Sequence, residues 1–189
     1  MTTLSVALGS YPHTEALKDR SVTVDGFELE FVEVGASIVP MFRQMVRQDE
    51  FDVSELAITT YLSAKEYGKP FTAIPVFPVR GFPHPALTVN TSAGISDPKQ
   101  LEGERVGVRA YTVTTGVWAR GVLADQYGVD LDKVTWVVAD EEHVALRLPP
   151  GNVESIPGAD LGEMVSSGEL AAGSGVTRGD AENVAPLIP

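Results

Sequence analysis

The chain has 189 residues, enough for one ordinary domain or two small lobes with a real core. At 43% hydrophobic residues and a mean hydropathy of +0.04 it belongs with soluble globular proteins, not disordered ones. Its 26 acidic residues outnumber 14 basic ones, and the resulting charge of −12 repels phosphate backbones and anionic lipid, which excludes nucleic acid and membrane surfaces as partners. The same field repels an anionic substrate, so a carboxylate site needs local arginine or histidine. There is no cysteine, which removes disulfides, thiol nucleophiles and thiolate metal sites and suits the cytoplasm. The start, Met1 to Gly9, has neither a basic n-region nor a secretory h-region, and no stretch approaches the ~20 apolar residues of a membrane span.

In chain order, Leu4–Leu8 reads as a buried strand broken at Gly9-Ser-Tyr-Pro12. Phe27–Val34 alternates Phe27, Leu29 and Phe31 with Glu28 and Glu30, the period of a half-exposed strand. Ser37 is the expected cap of a helix through Gln48, with Pro40 tolerated in its first turn. Phe51–Ser54 reads as a short strand and Leu56–Tyr67 as a helix stopped by Gly68. Phe71–Val79 is strand-like, but Pro75 and Pro78 deny it a central place, and residues 80–90 read as a crossover. Then come a helical turn at Asp97–Leu101, a strand at Arg105–Val108, and a helix at Thr114–Tyr127 ended by Gly128. A strand at Val134–Val138 and a short helix at Asp160–Ser166 follow. This alternation argues an α/β fold with a mostly parallel sheet in each half. The polar turns after the strands carry Ser, Glu, Tyr and Thr, which suits loops closing on a small anionic molecule.

Several clusters carry a resemblance. They are Glu50-Phe-Asp-Val-Ser-Glu-Leu56, Ile74-Pro-Val-Phe-Pro-Val-Arg80 with Phe82 and His84, Leu101-Glu-Gly-Glu-Arg-Val-Gly-Val108, Tyr111-Thr-Val-Thr-Thr-Gly-Val-Trp118, Arg120-Gly-Val-Leu123 and Tyr127-Gly-Val-Asp130. In order and spacing they resemble the 4,5-dihydroxyphthalate decarboxylase family, relatives of the two-lobed type 2 periplasmic binding proteins. The resemblance covers most of residues 1–138 and weakens afterwards. It implies a two-lobed type 2 periplasmic-binding-protein-like architecture, with residues 1–84 as the first α/β lobe and 85–189 as the second. Family members are longer and return to complete the first lobe, so the chain reads as truncated at its C-terminus. Where the family usually has a glycine-rich turn, this chain has Asp140-Glu-Glu-His143.

The implied reaction is loss of CO2 from a hydroxylated aromatic dicarboxylate, with no cofactor and no metal. Such a site needs a proton donor near the ring carbon, a cation for the second carboxylate, and acceptors for the phenolic hydroxyls. Arg80 and His84, among stiffening prolines in the crossover, are the first pair; the plain reading is a surface salt bridge and an ordinary loop histidine. Glu55 follows a strand and precedes a helix, as a proton donor or as a first-turn carboxylate favoured by the helix dipole. Ser54 beside it binds substrate or caps the helix. Tyr111, Thr112, Thr114 and Thr115 precede a helix whose free N–H groups and hydroxyls make an anion site, with Arg109 next to them.

His13, in the loop after the first strand, is a further substrate-binding candidate, while Trp118 reads as core. Asp140–His143 has a metal-like composition, but adjacent acids of this kind read as a solvated helix start. The partners implied are a small aromatic carboxylate and, through apolar surface left by a missing C-terminal part, a second copy of the chain. The rival reading is a non-catalytic solute-binding protein or sensor module for a small carboxylate, because this architecture serves binders and enzymes alike.

Overall fold

The computed structural model describes residues 1–35, 37–145, 149–175 and 183–188. The chain divides into two compact units, Met1–Arg80 with His143–Ala145, and Gly81–Glu142 with Leu146–Pro189. The architecture is mixed α/β with two sheets.

In the first unit the order is β1 (Thr2–Ala7), α1 (Glu15–Lys18), β2 (Phe27–Phe31), α2 (Val39–Gln48), β3 (Val53–Ser54) and α3 (Ile58–Glu66). The strands form an all-parallel sheet in the order β2-β1-β3, with Thr2 opposite Phe27 and Val6 opposite both Phe31 and Val53. On the edge strand β2, Glu28 and Glu30 point to solvent while Leu29 and Phe31 are half-buried, as the period-two pattern requires. Pro40 sits in the first turn of α2, where its missing N–H costs nothing, and the Ser37 hydroxyl accepts the Val39 N–H at 3.2 Å. Val46, Ala64 and Val144 form the buried centre, with Leu56 and Phe71 against it.

The second unit contains β4 (Leu87–Asn90), β5 (Arg105–Val108), α4 (Thr114–Tyr127), β6 (Thr135–Val138), β7 (Val153–Ser155), α5 (Leu161–Ser167), β8 (Ala172–Ser174) and β9 (Val184–Pro186). Its sheet runs β7-β6-β5-β8-β4-β9. The first four strands of that order are parallel, and β4 is antiparallel to both its neighbours. Both faces of the central strands are covered. Leu87, Leu101, Val106, Val108, Leu123 and Trp136 pack on one side, and Val137, Leu161, Val165 and Leu170 on the other. Gly107 allows that second contact, since a Cβ there would lie 2.9 Å from Leu170 Cδ1. Among the described residues no helix is long and apolar enough to cross a membrane.

Four expectations need correction. Phe71–Val79 forms no strand: Pro75 and Pro78 lack the N–H that a ladder needs, and Ile74, Val76, Phe77 and Val79 are exposed. The crossover assigned to 80–90 hides β4, whose four residues are all buried. Three-residue strands β7, β8 and β9 went unseen, being too short to display a period. Trp118 is 54% exposed on α4 rather than core.

Trp136, fully buried in the second unit's core, supplies the prediction for this architecture. Trp136→Ala should cost about 3–5 kcal/mol of stability, read as a lower urea midpoint at unchanged slope.

Candidate functional site

Parallel pairing brings the loops that follow neighbouring strands to the same edge of a sheet. At that edge of the first unit, the loop after β1 carries Gly9, Tyr11 and His13, and Glu55 follows β3. The Tyr11 hydroxyl donates to both Glu55 oxygens, at 2.8 and 3.0 Å, and the Gly9 N–H donates to Glu55 Oε2 at 3.1 Å. Glu55 is itself fixed by its N–H donating to the Ala7 carbonyl at 2.8 Å. Buried Thr14 closes the loop, accepting the Tyr11 N–H and donating to the Gly9 carbonyl. The His13 ring stacks on Tyr11, with centroids 5.5 Å apart and planes 6° from parallel. Burial, the Glu55 hydrogen bond and the Glu55 charge together push the Tyr11 phenol up to about 12. Tyr11 also lines an open cavity of about 600 Å³ with Gly9, Ser10, Glu33, Val34 and Ile38.

At the corresponding edge of the second unit, the turn after β5 meets the segment after β6. The N–H groups of Tyr111 and Thr112 donate to Glu142 Oε1 and Oε2 at 2.6 and 3.0 Å, and the Thr112 hydroxyl donates to Oε2 as well. Arg109 pairs with Asp140 at 3.2 Å and accepts the Asp140 N–H on its carbonyl. Arg120, buried within α4, donates to the Tyr111 carbonyl at 2.6 Å and lies over the Tyr111 ring at 3.8 Å. This turn therefore holds a carboxylate, and the carboxylate belongs to the chain itself.

The structure sorts the expected site residues by unit. His13, Ser54 and Glu55 come together around Tyr11, with the Ser54 hydroxyl donating to the Glu55 carbonyl and capping no helix. Arg109, Tyr111 and Thr112 gather around Asp140 and Glu142. Thr114 opens α4; Thr115 is exposed, with its hydroxyl 2.6 Å from where a Cβ on Gly175 would stand. Arg80 and His84 fall in different units. Exposed Arg80 lies over the Phe77 ring in the first unit, and His84 in the second contacts Gln126 at 3.3 Å.

Asp140–His143 is not a solvated helix start. Asp140 and Glu142 tie down the β5 turn, and His143 is buried at 3% exposure, with Thr60 2.7 Å from its Nδ1. Tyr11, Glu142 and Arg120 escaped the sequence reading as site residues. Tyr11 was hidden inside a strand-ending Gly-Ser-Tyr-Pro turn, and Glu142 inside an acidic run. Among the described residues no cluster of three or more His, Asp or Glu is placed to hold a metal ion.

Fold and site together define an α/β protein whose strand-end loops carry phenol, carboxylate and arginine groups. The chain is 32% identical to a 4,5-dihydroxyphthalate decarboxylase of Comamonas testosteroni over 176 residues, covering 88% of this chain and 53% of that protein. It is 33% identical to a 4,5-dihydroxyphthalate decarboxylase of Pseudomonas putida over 178 residues, covering 89% of this chain and 68% of that one. The chain belongs to the 4,5-dihydroxyphthalate decarboxylase family and spans about half the length of the first of these relatives. Among solved structures it resembles protein AF1704 from Archaeoglobus fulgidus, with a TM-score of 0.51 at 13% identity over 98% of this chain and 60% of that one. No family model matches the chain.

Two predictions follow from this geometry. Glu142→Ala removes the acceptor for two N–H groups and a hydroxyl and should cost about 1–3 kcal/mol in urea unfolding. Tyr11 has a folded value raised above the ordinary 10.0, so its contribution to stability is complete below pH 10 and is lost as pH rises through about 12. Wild type should therefore exceed Tyr11→Phe in stability below pH 10. The margin should close as pH rises through about 12, where ultraviolet absorbance should show a phenolate forming in wild type that Tyr11→Phe lacks.

Proposed function

We propose that this chain decarboxylates a hydroxylated aromatic dicarboxylate of the 4,5-dihydroxyphthalate type, releasing CO2 and leaving a dihydroxybenzoate. The observation that carries the reading is the turn at Tyr111 and Thr112, where two N–H groups and a hydroxyl already grip a carboxylate in a chain of net charge −12. The names of two relatives at 32% and 33% identity point to the same chemistry. A substrate carboxylate entering this turn exchanges with that of Glu142.

On this reading Arg80, Arg109 and the Thr112, Thr114 and Thr115 hydroxyls hold carboxylates, and His84 or Glu55 manages the proton, with Ser54, Tyr111 and His13 as further substrate contacts. The two units, divided near residues 80–90, are taken as lobes of a type 2 periplasmic-binding-protein-like architecture. The partner is a small aromatic carboxylate, not nucleic acid or a membrane surface, and self-association accompanies it. A cysteine-free, acidic chain suits a cytoplasmic setting. The reaction needs no cofactor, since ring protonation and carboxylate binding are both within reach of side chains.

The test is incubation of purified protein with 4,5-dihydroxyphthalate, following substrate loss and 3,4-dihydroxybenzoate by chromatography. We expect turnover, reduced at least tenfold in Arg109→Ala and in His84→Ala, and tighter phthalate binding in Glu142→Gln. Phthalate and 4,5-dihydroxyphthalate raising the melting temperature without turnover would replace the decarboxylase with a carboxylate-binding module. Wild-type turnover in both His84→Ala and Arg80→Ala would remove those two residues from the site.

A further inference from the structure

The first unit carries a second recognition element with the opposite polarity to the carboxylate-holding turn. Glu55 presents only acceptor oxygens, and the one hydroxyl proton on Tyr11 is directed onto them. With that proton committed, the Tyr11 oxygen is left to act as an acceptor. The cavity that Tyr11 lines, outside whose lining Glu55 lies, adds Glu33 as a further acceptor, the Ser10 and Ser37 hydroxyls, and Val34 and Ile38 as apolar wall. The nearby cation is already engaged, since Lys18 Nζ donates to the Leu8 carbonyl at 2.6 Å and to the Ser10 hydroxyl at 2.9 Å. A carboxylate meets repulsion here, whereas a neutral ring bearing O–H donors finds acceptors and apolar contact in a space of ligand size, about 600 Å³.

Gly9 shows that the dyad is built. Its backbone has no need of glycine, yet a Cβ there would stand 2.6 Å from the Tyr11 hydroxyl and 2.7 Å from Cζ. The phenol is packed onto bare backbone, and the neighbouring N–H holds the same carboxylate that the phenol does. Any side chain at position 9 pushes Tyr11 away from Glu55.

We propose that Tyr11, oriented by Glu55 and packed on Gly9, is the centre of a phenol-recognition site that accepts hydrogen bonds from the hydroxyls of a catechol-type ring. This deepens the decarboxylase reading and rests on it for the ligand's identity, but not for the ligand's chemistry. It also turns the role of Glu55 round, from proton donor to the group that orients Tyr11. In a 4,5-dihydroxyphthalate each carboxyl-bearing carbon lies para to a hydroxyl. A hydrogen bond donated by that hydroxyl to an acceptor raises electron density at the para carbon, which ring protonation requires.

The experiment measures dissociation constants of the intact chain for catechol, phthalate, 4,5-dihydroxyphthalate and benzylammonium by titration calorimetry, for wild type, Tyr11→Phe and Gly9→Ala. Expected is catechol binding that weakens about tenfold in both variants, with phthalate binding unchanged. Far-ultraviolet dichroism and melting check that each variant is folded. Tyr11→Phe, which keeps the ring, decides the matter if Gly9→Ala does not fold. Absent catechol binding to wild type, or catechol binding indifferent to Tyr11→Phe, overturns the proposal. So does benzylammonium binding more tightly than catechol, which would make the cavity a cation site. Catechol binding with the expected losses, but neither phthalate binding nor turnover, keeps this site and sinks the decarboxylase reading instead.

Discussion

In both units a carboxylate that follows one parallel strand is strapped to the turn that follows the strand beside it. Glu55, after β3, takes the Gly9 N–H and the Tyr11 hydroxyl from the loop after β1. Glu142, after β6, takes two N–H groups and the Thr112 hydroxyl from the turn after β5. Parallel pairing makes this arrangement available, because neighbouring strands then deliver their loops to one edge. Those loops would otherwise be polar backbone with few partners, and a charge-assisted bond across them fixes their shape. The positions of Tyr11, His13, Tyr111 and Thr112 all depend on these two straps.

The straps share a design but leave different chemistry exposed. In the second unit arginines surround the turn: Arg109 beside it pairs with Asp140, and Arg120 reaches the Tyr111 carbonyl from beneath. There the N–H groups, the hydroxyl and the arginines are all engaged by the chain's own carboxylates and carbonyl. In the first unit the lysine is turned onto a carbonyl and a serine, and acceptors dominate.

How much of this was legible in the sequence follows the length and regularity of each element. Arg105–Val108 and Thr114–Tyr127, with Gly128 in the left-handed conformation closing the helix, lie where the pattern put them, because buried β-branched runs and a glycine stop are strong local signals. Strands β7 to β9 are three residues each, and in β8 Gly173 and Ser174 carry no strand preference; β8 is a strand because β5 and β4 lie alongside. The acids of 140–143 read as solvent-facing because a linear sequence cannot show that Tyr111 and Thr112, thirty residues earlier, wait for one of them. Tyr11 was passed over for the same reason. Its partner lies 44 residues away, and a Gly-Ser-Tyr-Pro turn looks like punctuation.

The geometry also divides the proton work on the decarboxylase reading. Glu55, receiving an O–H and an N–H, is an acceptor already committed. The proton for the ring carbon then falls to a histidine, and the chain has three. His143 is buried beneath α2 and α3, between Thr60 and the edge of Phe42, so it serves packing. His84 has Gln126 at one ring nitrogen, and His13 stacks at the surface on the phenol that Glu55 holds. Both rings are reached by solvent, which the buried His143 ring is not. Separating the acceptor for the hydroxyl from the donor for the carbon is what the chemistry needs, since one group cannot withdraw a proton from the ring's substituent and supply one to its carbon in the same step.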